Sequence, residues 1–233
     1  AALLLLLSAP LDESSIKPEG NASMVQDFGK MFRLMVMPLV LIFVLCAFFY
    51  VLIEQSIMSW LPTYNQKVLE LPAALSIQMA SILAGSTALG RFLAGILMKK
   101  LNWYWVLTTC LLLAGALVIT AVPLAKGGAG QAVTGWGDAP LAAFVFPMIG
   151  LLIAPVYPAI NSLILSALPV QKHGLMSGLI IIFSALGGTT GSIVTGNIFQ
   201  RFGGQSAFYF SLVPIGILIV GLFFFRRLVE RDE

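Results

Sequence analysis

"GRFLAGILMKKLN", residues 90–102, lies over "GSIVTGNIFQRFG", residues 191–203, when the chain is slid along itself by 101 positions. Gly90 then meets Gly191, Gly95 meets Gly196, and Lys100 meets Arg201. Each stretch ends a long apolar run. Six such runs stand at roughly 31–61, 73–98, 103–124, 140–167, 174–200 and 207–227, and the same offset sets the second onto the fifth. Three runs separate the copies. If every run crosses a membrane, one copy finishes on the side opposite its mate, which is an inverted three-plus-three repeat.

Composition requires the membrane. Hydrophobic residues make up 59% of the 233 and charged residues 10%, with a mean hydropathy of +0.97, whereas soluble chains carry about 25% charge. Each run supplies the ~20 residues that a span needs. The sequence therefore predicts an all-α membrane protein of six transmembrane helices, separated by the turns "LPTYNQKVLELP", "KKLN", "KGGAGQAVTGWGDAP", "LPVQKHG" and "RFGGQS". The net charge of +3 is small and its basic residues are scattered, so no nucleic-acid partner is implied. Cys46 and Cys110 sit in apolar runs and His173 stands alone, which gives neither a disulfide framework nor a metal site. With no Walker-type or nucleophile-elbow motif, the chain reads as neither an enzyme nor a cofactor protein.

The flanks complete the plan. The opening "AALLLLLSAP" reads as the tail of a preceding transmembrane helix over 1–9, followed by a polar cytoplasmic linker over 10–30, the bundle over 31–227 and a cytoplasmic tail over 228–233. At the end of the linker, Met24, Phe28, Met31 and Phe32 recur at helical spacing, as in an amphipathic segment along the membrane surface. Lys17, Lys30, Arg33, Lys99, Lys100, Lys172, Arg226, Arg227 and Arg231 would share the cytoplasmic side, against Lys67, Lys126 and Arg201 outside. That asymmetry obeys the positive-inside rule. It also places the sequon at Asn21 on the wrong side for glycosylation.

Glu54 is the first candidate for function. With Gln55 it precedes Pro62, the expected end of the first span, by about eight residues or ~12 Å. A carboxyl that deep is costly, so it either carries protons or grips solute hydroxyls; the alternative is a structural hydrogen bond to a neighbouring helix. Arg91, in the second span, is ~12 Å from Lys99. It reads as a gate or latch at the cytoplasmic mouth, at a depth too different from Glu54 for the two to pair. In the fourth span Pro147, Pro155 and Pro158 free carbonyls and bend the helix. Beside them Tyr157 and Asn161 share a face, with Ser162 next in line. An amide and a phenol near aromatic rings suit a sugar, and interhelical packing is the competing explanation. Phe183, Ser184 and Asn197 are candidates for a cavity wall, while Gly187 and Gly191 read as close helix packing.

"FFYVLIEQSIMSWLPTYN" (48–65), "GRFLAGILMKK" (90–100) and "PVYPAINSLIL" (155–165) carry a family resemblance. The chain resembles one half of a major facilitator superfamily transporter, and more narrowly the carboxyl-terminal half of the fucose permease family of sugar–proton symporters. The resemblance implies a preceding six-helix bundle as partner, with a small solute held between the halves and moved by alternating access. It also implies a multi-pass location, in a bacterial inner membrane. By their depth and chemistry Glu54, Gln55, Trp60, Tyr157, Asn161, Ser162 and Phe183 would bind substrate and Glu54 would couple protons, although the proton-carrying carboxylates of the fucose permease belong to its other half. Arg91, Lys99 and Lys100 would gate. The position of Glu54 is Gln in fucose permeases and Glu in glucose-type relatives. Lys99 stands where the superfamily's loop motif usually has an acid, and Asn102 where it has glycine. A drug or amphipathic-metabolite exporter, or a membrane scaffold or receptor, are the other readings.

Overall fold

A computed structural model describes residues 24–125, 133 and 135–232. The expected helix tail at 1–9, the sequon, most of the linker and the loop around Lys126 lie outside the described residues. Among those described, there are helices and turns and no strand. Six helical segments are long and apolar enough to cross a membrane: Pro38–Lys67, Ala73–Leu97, Trp103–Leu124, Leu141–Ala167, Val170–Phe202 and Gly204–Glu230. An amphipathic helix, Met24–Leu34, precedes them.

Local chemistry sets most of the boundaries. Pro38 opens the first span at its first helical position, where a missing N–H costs nothing, and Met37 before it is extended at ψ 122°. Asn102 caps the third span by accepting from the Tyr104 N–H at 2.9 Å. The fifth span stops at Gly203, whose φ of 85° suits a residue without a Cβ. The fourth span divides at Ala154–Pro155 into Leu141–Ile153 and Val156–Ala167, as the prolines predict.

The first span departs from the sequence reading. Pro62 does not end it; the helix runs through that proline to Lys67. Proline is tolerated inside membrane helices because neighbouring groups re-satisfy the freed backbone. The stop comes from tertiary contacts instead. Fully buried Asn65 donates its Nδ2 to the Ser76 carbonyl at 3.3 Å, while its own carbonyl accepts from the Leu71 N–H at 3.0 Å. Glu70 turns the chain through a left-handed φ of 56°.

Two seams organise the bundle: first span against fifth, and second span against fourth. Glycine makes both possible. A Cβ at Gly187 or Gly191 would strike the carbonyls of Phe48 and Leu52, and one at Gly90 would strike the Leu151 carbonyl. Pro155 has no N–H for that Leu151 carbonyl, so Gly90 lets the second span lie directly on a freed backbone oxygen. Exchanging the first span with the fourth and the second with the fifth turns one seam into the other, which is the packing an inverted repeat requires. The seams enclose aromatic clusters: Tyr64, Phe146 and Phe208 meet with ring centroids 4.4–4.8 Å apart. Phe92, Trp105, Leu112 and Ile119 face outward, as a lipid-covered surface does.

Candidate functional site

Glu54 lies at mid-helix, about 24 Å from Pro38 and about 20 Å from Lys67 by helical rise. Two donors converge on its Oε1: the Tyr50 hydroxyl at 2.9 Å and Arg91 Nη2 at 3.1 Å. Tyr50 is fully buried. The Glu54 side chain is 16% exposed and that of Arg91 47%. One end of this unit is therefore sealed in protein while the other stands open.

The expectation that Glu54 and Arg91 are too far apart in depth to pair is overturned by their ion pair. The error has a physical origin. Measured from Pro62 and Ala73, the two differ in depth by about 15 Å; measured from Lys67, where the helix ends, the difference is about 7 Å. The long arginine side chain spans that remainder.

Tyr50 carries the network further. Its ring stacks on Tyr157 of the fourth span, centroids 5.3 Å apart and planes 19° from parallel. The Tyr157 hydroxyl is hydrogen-bonded to Ser184 Oγ of the fifth span at 2.8 Å. Four spans thus contribute to one polar band across the middle of an apolar bundle. Tyr50 was absent from the sequence candidates, although its i, i+4 spacing from Glu54 was a readable signal.

The other candidates have separate surroundings. Gln55 packs on the fifth span, where a Cβ at Gly188 would come within 3.1 Å of its Cγ. Trp60 donates Nε1 to the Ser192 carbonyl at 2.9 Å and stacks on Phe199 at 5.4 Å, so it holds the first span to the fifth. Its edge still borders a cavity of about 310 Å³ with Asn197 and Gln200. Asn161 buries its Oδ1 without a hydrogen-bond partner among the described residues. Ser162 is exposed, and Phe183 is half-buried against the core. Lys99 and Lys100 are exposed at the end of the second span, where cations complement the helix dipole.

The described residues hold no group of three or more potential metal ligands. What the band can do is exchange partners. A carboxylate held by one buried phenol and one half-exposed guanidinium accepts a proton or a solute donor by giving up the arginine, whose charge then turns to an anion, a carbonyl or water. No curated protein and no solved structure matches the chain. A family model described as Major Facilitator Superfamily matches residues 1–191, which takes in the first four spans and most of the fifth.

Proposed function

The chain belongs to the Major Facilitator Superfamily, and from that premise we propose that it moves a small polar solute, a sugar coupled to protons, by alternating access across a bacterial inner membrane. The observation that carries this reading is the ion pair of Glu54, midway along the first span, with half-exposed Arg91. Ionisable groups inside a membrane bundle are expensive and mark solute or proton pathways. A proton and Arg91 compete for the same carboxylate oxygen, so protonation releases the arginine and loosens the first span from the second. Sugar hydroxyls compete in the same way, and the Tyr50–Tyr157 stack offers ring surface near them. A second six-helix bundle facing this one closes the solute path. Counterflow of a labelled sugar panel in proteoliposomes, with this bundle joined to its partner bundle, tests the reading: trans-stimulated exchange of at least one sugar is expected, and failure with every sugar overturns the substrate class.

Asn161 gives a sharper test. An unpartnered buried acceptor costs about 1–3 kcal/mol, and a solute hydroxyl would supply the missing donor. Asn161→Ala should then leave the thermal stability of the solute-free protein unchanged or raised, while KM rises about threefold to tenfold. A lower melting temperature with KM unchanged would identify Asn161 as packing.

Orientation has its own measurement. Lys30, Arg33, Lys99, Lys100, Lys172, Arg226 and Arg227 support a cytoplasmic location for the face where the chain enters the first span. Single cysteines replacing Lys100 and Gly137, in a background without Cys46 and Cys110, should respond oppositely to an impermeant thiol reagent added outside. Position 137 should react and position 100 should not. The reverse inverts the topology.

A further inference from the structure

His, Cys, Asp and Glu, the residues that hold most metal ions, do not gather in threes anywhere among the described residues. Neutral oxygens do gather, at a break in the sixth span. That span is two helices, Gly204–Phe210 and Leu212–Asp232, joined at Ser211. Pro214 accounts for the break, because it has no N–H for the Phe210 carbonyl one turn before it. The Ser211 hydroxyl turns back and donates to the Phe208 carbonyl at 2.6 Å. Carbonyls at the end of a half-helix that stops inside a membrane bundle are suited to coordinating sodium.

Ser56 of the first span and Thr195 of the fifth meet this break. With Phe210, Ser211 and Pro214 they line a cavity of about 10 Å³, room for one particle the size of a water molecule, and the rest of its wall is apolar. A Cβ at Gly191, one turn before Thr195, would come within 2.9 Å of Ser56 Oγ, so the glycine seam brings the two hydroxyls together. The Ser56 hydroxyl donates to the Leu52 carbonyl at 2.6 Å. Ser56 and Ser211 have thus spent their protons within their own helices and offer the cavity lone pairs only. Thr195 is 3% exposed, and its Oγ1 is buried with no hydrogen-bond partner among the described residues. A pocket so rich in acceptors repels an anion and suits a cation. We propose that it binds one sodium ion, held by Ser56 Oγ, Thr195 Oγ1, Ser211 Oγ and the Phe210 carbonyl. So few oxygens round so small a space suit sodium better than potassium, which takes more ligands. No described charged group lines the site, so oxygen dipoles alone hold the ion and leave it free to exchange. The bound ion fastens the break of the sixth span to the seam between the first and the fifth.

Binding of radioactive sodium to the purified protein, with this bundle joined to its partner bundle and no sugar present, tests the site. Saturable binding is expected, displaced by unlabelled sodium but not by potassium or choline. No saturable binding, which leaves water as the only occupant, overturns the proposal, and so does equal displacement by potassium. A contact to a charged group is worth about tenfold or more, so Thr195→Val should weaken sodium binding by about that factor, while Thr195→Ser keeps it. Thr189→Val removes an exposed hydroxyl of the same helix, one that donates to the Ala185 carbonyl, and should leave binding unchanged. No loss in Thr195→Val, or an equal loss in Thr189→Val, overturns the assignment. Without sodium, Thr195→Val should melt no lower than the parent, because it removes a buried hydroxyl that has no partner. A lower melting temperature there would show the hydroxyl already satisfied inside the protein, and the site would fall.

Discussion

Glu54→Gln should abolish pH-driven accumulation of solute while leaving counterflow exchange measurable. The substitution keeps the shape and an acceptor for the Tyr50 hydroxyl, and removes the titratable carboxyl. Accumulation should fall to the level of vesicles without a proton gradient. An accumulation ratio equal to the parent would remove Glu54 from the coupling step. Arg91→Met is expected to do different damage, although it breaks the same ion pair. It strands a carboxylate of which only 16% is exposed, whereas Glu54→Gln strands a guanidinium that is 47% exposed and can turn outward. Loss of one partner from a fully buried pair costs about 3–5 kcal/mol; with one member half-exposed, about 2–3 kcal/mol is expected for Arg91→Met. Glu54→Gln should cost less than 1 kcal/mol. Comparative melting of the two variants in detergent decides it, and equal melting temperatures would mean that Glu54 is no more shielded than Arg91.

The second large effect belongs to the seams. A methyl group at Gly187, Gly191 or Gly90 meets backbone, which cannot swing aside as a side chain can. Gly→Ala should therefore destabilise by about 1–3 kcal/mol at each position. Gly90→Ala with Gly191→Ala should be close to the sum, since the two lie in different seams. Gly85 and Gly95 have open space where a Cβ would go. There alanine should be neutral or stabilise by up to about 1 kcal/mol through helix propensity. Thermal unfolding of the five variants separates the two classes. Should Gly90→Ala and Gly95→Ala melt alike, the close approach to Leu151 is not limiting.

Much of the fold was legible because lipid leaves the chain few choices. Every backbone polar group must bond within its own segment, so length and hydropathy alone locate the spans. The offset of 101 residues exposed the repeat, and Pro155 announced the break in the fourth span. The site was harder. Glu54 stands out as a charge in an apolar run, but a helix ending at Pro62 would leave Arg91 out of its reach. A shift of five residues moves a depth by about 7 Å, which is the difference between a pair and two isolated charges. Tyr50 was hidden for another reason. In a run as aromatic as "AFFY" nothing in the letters separates a packing ring from one whose hydroxyl grips a carboxylate. Ser184 likewise acquires meaning only when the fifth span brings it to Tyr157.

The Gly191 contact in one seam and the Gly90 contact in the other correspond to one another under exchange of the repeats. Such a bundle resembles a seesaw more than a spring. If one tilt of the helices opens the solute path to one side, the exchanged tilt opens it to the other, and both tilts rest on the same kind of contact. Their energies then differ only through side chains the repeat does not share, such as Arg91 against Ser192 or Lys99 against Gln200. Neither resting position stores energy for the return stroke, so the direction of travel is left to the concentrations on the two sides. The machine supplies the pivot, and the gradients supply the push.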